Sequence, residues 1–377
     1  MTLVGAVFFA LPFALSSCTL RRQVLPQELS FQGLVLTVWD CMEPSFQGTD
    51  AYQTRVKSVV DRFSEEYQVK VEVEFKERRE ILSLLMGESQ ELDPPCLSYS
   101  TEWPVISDDA QGLTELLSAD DYLDGAATYW MLDGKLMGVP SYVHWVGMAA
   151  RSSILPLTGI PSDSGYWYDS QWFLPSAIEG PGTDYSAASA ISYLEYLKSS
   201  CKEALSDPLD AWDRGVVSTL FPVTPHLYRW LRTSYEDEVG LSPIPGASGE
   251  MRFHCTVPGY MVFSEEEPHR SCALLLAKEL AANRGVWVAR SIGGVPAAVQ
   301  DMPVYDLEAG IPEDYRQIIR GLDSQIAQAA LTSGEGLRRY KIGQGFGEIV
   351  PQFVRGVLTL QDMERSIQDL WESHTTP

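Results

Sequence analysis

The residues of this chain with the clearest chemical use are aromatic side chains, which are concentrated in an irregular segment between residues 156 and 185. Aromatic faces stack on the C–H patches of small polar molecules, and a few polar groups then orient the molecule. A long segment rich in Gly and Pro inside a compact protein is usually functional. The pattern favours a binding site for a small polar solute. Its aromatic members are Tyr166, Trp167, Tyr168, Trp172 and Phe173.

Sequence motifs of covalent catalysis and nucleotide binding are missing. The chain holds no GxSxG, no HExxH and no GxxxxGK[ST] pattern. A glycine run at 343–347 approaches GxGxxG, but it lies among C-terminal helices rather than after an early strand, which argues against a dinucleotide site. The five histidines are scattered and no CxxC occurs, so we predict no metal site. We therefore expect a protein that is not an enzyme and that needs no cofactor.

The chain is strongly acidic, with a formal net charge of −23 over 377 residues. Its composition, 45% hydrophobic and 21% charged, is that of a folded protein. An acidic surface repels phosphate backbones and anionic lipid headgroups, so nucleic acid is not an expected partner. An anionic ligand would need arginines placed locally, and Arg252, Arg338 and Arg339 are the candidates for such a clamp.

The first eighteen residues combine an uncharged apolar run with a cysteine. The run over 1–15 is shorter than the roughly 20 apolar residues of a membrane span and has the length of a signal-peptide core. Two serines and Cys18 follow it, and this junction resembles the lipobox of bacterial lipoproteins. We expect a signal peptide over 1–17, lipidation at Cys18 and a tether over 18–33. An ordinary secretory peptide and a buried N-terminal helix are the alternatives, because no Lys or Arg precedes the run.

Lipidation of Cys18 would leave five cysteines, an odd number without the spacing of a disulfide framework. Cysteine is often a small buried apolar residue, and that role is the simplest prediction for all five. A single bridge in an oxidising compartment stays open as an alternative.

Strands and helices alternate after the tether. We predict a buried strand over 33–39, a helix over 51–67 and an alternating, half-exposed strand over 69–75. A second helix over 77–86 and a strand over 95–99 continue the pattern. Such alternation indicates a parallel sheet with crossover helices.

The second half of the chain is predicted with the same rules. A turn at 133–135 leads into a strand-like stretch that ends at Ala149, and a strand over 253–263 is broken at Pro258 and Gly259. The predicted helices cover 187–202, 267–283, 312–331, 344–355 and 360–373.

Several short segments follow one another in a characteristic order: LTELL at 113–117, DGKLMGVP at 133–140, PGYMVFS at 258–264 with GGVPA at 293–297, and VRGVLT at 354–359. Together with the leader, they resemble motifs of the extracellular solute-binding proteins of ABC importers, in the branch that binds sugars and glycerol phosphates. The octapeptide at 133–140 is the most specific match, to the first crossing between that family's two lobes. The segment at 258–264 is similar to the second crossing.

The sequence also departs from that family. Ala149, Ala150 and Arg151 occupy a position where the family commonly has Tyr-Asn, and its PkTWdEl segment is not recognisable here. Both differences fall in the second lobe, where ligand specificity is often set, so the ligand class does not transfer from the resemblance.

The resemblance implies an α/β, two-lobed periplasmic-binding-protein-like fold, in which each lobe is a mixed or parallel sheet flanked by helices. The ligand cleft would lie between the lobes. Lobe 1 would comprise 34–145 plus 259–300, and lobe 2 would comprise 146–258 plus 301–377. The protein would be a monomer, lipid-anchored to a bacterial membrane in the periplasm or at the cell surface, and would deliver its solute to an ABC permease.

The implied ligand contacts lie at strand ends and crossing segments that face the cleft. Asp40 and Glu43 would accept hydrogen bonds from hydroxyl groups or balance a cationic group inside an aromatic cage. The candidate ligand-binding residues are Trp39, Asp40, Glu43, Tyr99, Trp103, Tyr142, His144, Trp145, Trp167, Tyr168, Trp172, Gly259 and Tyr260.

A sugar or oligosaccharide is the first choice of ligand. Glycerol 3-phosphate or a glycerophosphodiester such as glycerophosphocholine is the second, because the WDCME stretch at 39–43 is similar to the opening of glycerol-phosphate binders. From other classes, a carbohydrate-active enzyme would need two carboxylates about 5–10 Å apart across the cleft. A lipoprotein that binds a macromolecule would show an exposed apolar patch instead of a cleft.

Overall fold

A computed structural model provides the fold. The predicted signal peptide, Cys18, Glu43, Trp167, Tyr168 and Trp172 lie outside the residues that it describes. It describes residues 30–41, 49–88, 94–101, 103, 105–161, 164–166, 185–203, 208–246, 249–302, 321–322, 326 and 330–375.

Nine α-helices occur in this part of the chain. They are α1 Thr49–Tyr67, α2 Arg78–Leu85, α3 Asp124–Tyr129, α4 Ala187–Ser200, α5 Pro208–Asp213, α6 Pro225–Tyr235, α7 His269–Ile292, α8 Ser333–Val354 and α9 Leu360–Thr375. Local signals position some of them: Glu77 and Glu80 form a capping box on α2, and Thr224 caps α6 ahead of a proline in its first turn. Within the described ranges, no helix is long and apolar enough to cross a membrane.

The strands are short apart from β8. They are β1 Val35–Asp40, β2 Lys70–Phe75, β3 Leu97–Tyr99, β4 Val105–Ile106, β5 Met131–Leu132, β6 Lys135–Leu136, β7 Val139–Pro140, β8 Tyr142–Arg151, β9 Ser164–Tyr166, β10 Cys201–Glu203, β11 Thr219–Val223, β12 Val239–Ser242, β13 Ile244–Pro245, β14 Met251–Arg252, β15 His254–Thr256, β16 Gly259–Val262, β17 Val295–Pro296 and β18 Leu331–Thr332.

The first sheet has the order β2-β1-β3-β16-β7. Strand β1 pairs in parallel with β2 and β3, while β16 runs antiparallel to β3 and β7. The parallel strands are linked by helices, as the alternation in sequence predicts. Strand β2 lies at the edge, which fits its alternation of charged and apolar residues.

The second sheet has the order β10-β9-β11-β8-β12, and β15 and β17 also pair with β8. The long strand β8 is its centre and is buried along nearly its whole length. Its side chains alternate between two cores: Val143, Trp145 and Ala149 face one, and Val146 and Met148 face the other. This sheet is therefore covered on both faces.

Each sheet has its own hydrophobic core, so the chain forms two lobes. The core of the first lobe combines β1, β3 and β16 with residues of α1, α2 and α7. The first sheet ends at Pro140 and the second begins at Tyr142, so the predicted lobe 1 range, which extends to residue 145, includes the start of β8. The change of lobe therefore falls between Pro140 and Tyr142, at the end of the 133–140 motif.

Helix α8 is longer than the helix predicted over 344–355, which is its C-terminal half. The sequence underestimates it because glycine disfavours helix, and this segment is rich in glycine. Tertiary contacts explain why two of these positions are glycine. A Cβ at Gly336 would collide with Val105, and a Cβ at Gly345 would collide with Leu370. Close approach of neighbouring elements therefore selects glycine here.

Helix α7 is also longer than predicted, because it continues beyond residue 283 to Ile292. Helices α5 and α6 were not predicted. The predicted helix over 312–331 falls almost entirely outside the described residues.

Candidate ligand-binding site

Three segments of the chain meet where the two sheets join. Ser141 lies between β7 and β8, and its backbone N–H donates to the carbonyl of Pro258, which lies between β15 and β16, at 2.9 Å. The carbonyl of Ser141 accepts from the N–H of Ala297, just after β17, at 3.1 Å. Its hydroxyl donates to the carbonyl of Ala281 on α7 at 3.0 Å. One buried serine thus ties the three crossing segments together.

Trp130 holds the second crossing segment against the first lobe. Its indole Nε1 donates to the carbonyl of Val257 at 2.9 Å, and its ring is buried. A Cβ at Gly259 would collide with the carbonyl oxygen of Val139 and touch the ring of Trp130. The predicted ligand-binding residue Gly259 is therefore placed where two backbone segments approach closely.

Three predicted ligand-binding residues, Asp40, Tyr99 and Tyr260, meet at the end of the first sheet. Asp40 is fully buried, and its Oδ2 accepts a hydrogen bond from the Tyr260 hydroxyl at 2.8 Å. Its Oδ1 accepts from the Tyr52 hydroxyl and from a terminal nitrogen of Arg284, each at 2.5 Å. We call Asp40, Tyr52, Tyr99, Tyr260 and Arg284 the Asp40 cluster.

Arg284 of α7 is the centre of this cluster. Its guanidinium carbon lies 3.4 Å from the ring centroid of Tyr99, 5.0 Å from that of Tyr52 and 5.7 Å from that of Tyr260. Aromatic rings thus surround a cation here, and that cation is an internal arginine. Burial raises the pKa of the Asp40 carboxyl, while Arg284 and the Tyr260 hydroxyl act to lower it.

Tyr142, His144 and Trp145, predicted to contact ligand, lie at the start of β8 and are all buried. The ring of Trp145 packs at 6.0 Å from Tyr228 and 5.9 Å from Phe253, inside the second lobe. Burial lowers the pKa of His144 to about 3, with a smaller contribution from Arg78. His144 is therefore neutral at physiological pH. The contacts described for Trp145 belong to the core of the second lobe.

Trp39 ends β1 beside Asp40 and is also buried. The Nζ of Lys76 lies 4.6 Å from the centroid of its ring, which is a cation–π contact within the first lobe. Packing accounts for the described environment of Trp39, and a contact with ligand remains a prediction.

Trp103 differs from these residues because it faces helix α8. It follows β3 in the first lobe, is 5% exposed, and its ring meets that of Tyr340 edge-on at a centroid distance of 5.6 Å. Leu337 and Tyr340 of α8 pack on the core of the first lobe, whereas Ile342 and Phe346 lie in a core of the second. Trp103 is thus placed at the helix that joins both lobes.

Arg338 and Arg339 directly precede Tyr340 on helix α8. Arg338 and Arg339 both bond to Glu335, with Nε–O distances of 3.0 and 2.6 Å. The guanidinium of Arg339 lies 4.5 Å from the ring centroid of Tyr185, which precedes α4 in the second lobe. We call this group the junction cluster; its members are Trp103, Tyr185, Glu335, Arg338, Arg339 and Tyr340.

The third candidate for an anion clamp, Arg252, lies on a different element. It ends β14, is half-buried, and its Nε lies 3.7 Å from a carboxylate oxygen of Glu250. In the described part of the chain, no group of three or more His, Cys, Asp or Glu side chains could hold a metal ion. Among the described residues, the side chains of Cys96 and Cys272 are free thiols.

Sequence reasoning missed Tyr185, Tyr340 and Arg284 as members of aromatic clusters. Tyr185 lies at the end of the aromatic segment that the sequence singles out, so its composition was a usable signal. Tyr340 and Arg284 lie on long helices, where an isolated aromatic or basic residue gives no local sign of its tertiary partner.

Comparisons with known proteins agree on the architecture. No protein-family model and no curated protein sequence matches the chain. Solved structures do match over about nine-tenths of its length. The maltose/maltodextrin-binding domain MalE from Bdellovibrio bacteriovorus, bound to maltotriose, is 14% identical, with a TM-score of 0.59 over 90% of this chain and 99% of that one.

Two further matches have the same character. The cyclic alpha-maltosyl-1,6-maltose binding protein from Arthrobacter globiformis is 13% identical, with a TM-score of 0.62 over 91% of this chain and 99% of that one. The ABC substrate-binding protein Lmo0181 from Listeria monocytogenes, in complex with cycloalternan, is 12% identical, with a TM-score of 0.62 over 92% and 100%.

This chain has the two-lobed fold of ABC solute-binding proteins. The expectation from the sequence motifs is confirmed for the fold, because the matches span the whole length of those proteins and include both lobes. Within the solute-binding fold, the crossing segments around Ser141 are the connections between lobes, and the junction cluster lies beside helix α8, which contacts both.

Proposed function

We propose that this protein is the solute-binding component of an ABC importer and captures a sugar or oligosaccharide by closure of its lobes. The observation that carries the proposal is the architecture: two separately packed sheets joined by three crossing segments that meet at Ser141. Narrow connections between separate cores allow a hinge motion, and hinge closure around a ligand is a common use of this arrangement.

The described aromatic residues support a saccharide. Three aromatic rings lie at helix α8, which contacts both lobes. Tyr340 belongs to the helix, Trp103 packs on it from the first lobe, and Tyr185 lies near it in the second. Aromatic faces with a few polar groups suit the C–H patches and hydroxyls of sugar rings. Structures with the same fold were solved with maltotriose and with cycloalternan, which are saccharides.

We further propose that the mature protein is a monomer that is anchored outside the cytoplasm by a lipid on Cys18. The apolar leader and the Ser-Ser-Cys junction support this placement. A membrane permease would then be the partner that receives the solute. Replacement of Cys18 by Ser would release the protein from the membrane fraction, and metabolic labelling with a fatty acid would report the loss of the anchor.

The function is tested by binding and closure in one experiment. The form with residues 19–377 is titrated with maltotriose, cellotriose, a galacturonate trisaccharide and glycerophosphocholine, and its radius of gyration is followed by small-angle X-ray scattering. We expect one saccharide to bind and to reduce the radius of gyration. Binding of glycerophosphocholine alone would favour the alternative ligand class, and hydrolysis of chromogenic glycosides would indicate an enzyme. No binding by any compound would argue against solute capture.

A further inference from the structure

Two helical segments that pack on each other carry no carboxylate, although the chain has 51 acidic residues. Helix α6, Pro225–Tyr235, contains no Asp or Glu, and neither does the C-terminal half of α7 from residue 280 onward. The chain as a whole has a formal net charge of −23, so this region differs in sign from the rest of the molecule. Local concentrations of one charge attract and orient partners of the opposite charge.

Each lobe places an arginine against the carboxylate-free half of α7. Arg55 of α1, in the first lobe, donates from Nε to Oδ1 of Asn283 at 2.9 Å. Arg229 of α6, in the second lobe, donates to the carbonyl of Arg290 in the last turn of α7. Both arginines are half-buried, and within the described residues neither forms an ion pair with a carboxylate. An amide and a carbonyl satisfy their N–H groups but carry no full negative charge.

The contacts of these arginines fall close together along α7. Asn283, Trp287 and Arg290 recur at spacings of four and three residues, which places them side by side on one face of the helix. The ring of Trp287 stacks on Tyr52 of α1 at a centroid distance of 5.1 Å, so this face lies against the helix that carries Arg55. Residues 283 and 290 are about 10 Å apart along the helix axis.

The positive charges at this face repel one another. Burial lowers the pKa of Arg55, and the charge of Arg290 lowers it further. On α6, burial lowers the pKa of His226, and the charge of Arg229 one turn away adds to the effect. The arginines stay protonated at neutral pH, because the ordinary pKa of arginine is far above 7. Like charges held together are unfavourable, so an anionic partner would stabilise this arrangement.

The total charge of the molecule favours a narrow anionic partner. A membrane surface or a nucleic acid would also face the rest of this acidic protein, and salt screens charges only over about 8–10 Å. A short acidic stretch of polypeptide would meet the basic face alone, since three extended residues span about 10 Å. Carboxylates also form charge-assisted, bidentate hydrogen bonds with arginine.

We propose that Arg55, Arg229 and Arg290 form a docking surface for an acidic segment of a protein partner. The surface combines α1 of one lobe, α6 of the other and α7, which packs in the cores of both. A change in the arrangement of the lobes therefore changes the spacing of the arginines, and a partner bound there distinguishes the two states. Identification of this partner with the permease rests on the proposed function, whereas the surface itself does not.

The test uses acidic and neutral peptides of equal length. The full chain, purified in a non-ionic detergent, is titrated into a capped, dye-labelled peptide of six glutamates or of six glutamines, and binding is followed by fluorescence anisotropy without added solute. At low ionic strength we expect the acidic peptide to bind at least about 10-fold more tightly than the neutral one. Its affinity should fall as salt screens the charges.

Variants assign this preference to the surface. Arg55→Gln and Arg229→Gln should each weaken binding of the acidic peptide about 3- to 10-fold, as expected for one partly exposed charge pair. Arg55→Lys keeps the charge and should retain most of the affinity. Arg365→Gln removes the same charge from an exposed position on α9, which packs on the other face of the second sheet, and should change nothing. Thermal melting confirms that each variant is folded.

Three results would overturn the inference. Equal affinity for the two peptides, or no binding of the acidic one, would show that the surface does not recognise carboxylates. Losses in Arg55→Gln and Arg229→Gln no larger than in Arg365→Gln would place peptide binding elsewhere. Tighter binding to phosphatidylglycerol vesicles, lost in the same two variants, would make the surface a lipid contact. A chain that binds the acidic peptide but no sugar would keep the docking surface and refute only the saccharide function.

Discussion

The Asp40 cluster and the junction cluster are built from the same kinds of residues, but the environment of their polar atoms differs. Each combines aromatic rings, arginine and a carboxylate. In the Asp40 cluster, the carboxylate accepts from two tyrosines and an arginine, and the arginine lies among three rings. In the junction cluster, a buried indole N–H and a phenol lack partners among the described residues. The two clusters therefore share their composition and differ in the hydrogen bonds described for their polar atoms.

The position of each cluster matches this difference. The Asp40 cluster draws its members from α1, α7 and the first sheet, all within the core of one lobe. The junction cluster draws members from both lobes and from the helix between them. A cluster inside one rigid body contributes to stability, while one that spans two bodies can respond to their relative motion.

The largest effect that sharpens this comparison is expected from Arg284→Met. Removal of the guanidinium leaves the Asp40 carboxylate buried without its charge partner, since Arg284 and Asp40 side chains are 2% and 0% exposed. Loss of one partner of a buried pair costs about 3–5 kcal/mol. Denaturant unfolding should show this loss, with ligand affinity of the folded fraction retained.

An exposed ion pair provides the control for that measurement. Arg62 bonds to Glu279 at 3.0 Å, but its side chain is 63% exposed. Arg62→Met should therefore cost less than about 1 kcal/mol. Loss of ligand affinity without loss of stability in Arg284→Met would instead make the Asp40 cluster a binding site.

Tyr260→Phe removes a single hydrogen bond from the Asp40 cluster and so measures what that bond contributes to stability. The substitution removes the donor to Asp40 Oδ2 and keeps the ring. A hydrogen bond to a charged group contributes about 1.5–3 kcal/mol, so the free energy of unfolding should fall by that amount. Unchanged stability would contradict the view that internal partners satisfy this carboxylate.

His144, on β8, makes the free energy of unfolding depend on pH. The unfolded pKa of histidine is about 6.5, whereas burial lowers the folded pKa of His144 to about 3. Below pH 6.5 the unfolded chain gains a proton that the folded chain does not bind. His144 thus contributes stability that is present above pH 6.5 and is lost as the pH falls towards 3, about 2 kcal/mol by pH 5.

Unfolding curves at a series of pH values measure this loss. His144→Gln should reduce the slope between pH 6.5 and 5. The same slope in wild type and His144→Gln would show that His144 titrates equally in the folded and unfolded states.

The smallest effect is expected from Tyr185→Phe, the counterpart of Tyr260→Phe in the junction cluster. Its hydroxyl is buried without a partner among the described residues, so its removal costs no hydrogen bond. Replacement of such a group is nearly neutral or slightly stabilising. Melting should show no loss of stability, and a loss near that of Tyr260→Phe would mean that the hydroxyl has a structural partner.

The regular elements could be predicted from sequence where one local signal dominates. The alternating β2 and the helix that precedes it follow hydrophobic periodicity, and the crossing at 133–140 was recognised from its motif. Helix α8 was predicted only in part because its glycines reflect contacts with Val105 and Leu370, which are distant in sequence.

The candidate site was less predictable for the same reason. The sequence marks aromatic residues at strand ends as candidates, but it does not show which of them meet one another. Trp145 contacts Tyr228 and Phe253 inside the second lobe, whereas Trp103 meets Tyr340 of α8. Each of these partners comes from a distant part of the chain.

The sequence by itself determined the α/β alternation, the acidic composition and the crossing motif, because each depends on neighbouring residues or on composition. The tertiary structure alone decided which polar groups are satisfied. Asp40 and Arg284 are 244 positions apart, and their contact exists only after α7 packs on the first sheet. The same packing leaves the indole N–H of Trp103 without an acceptor among the described residues, because a buried N–H finds its partner through the fold.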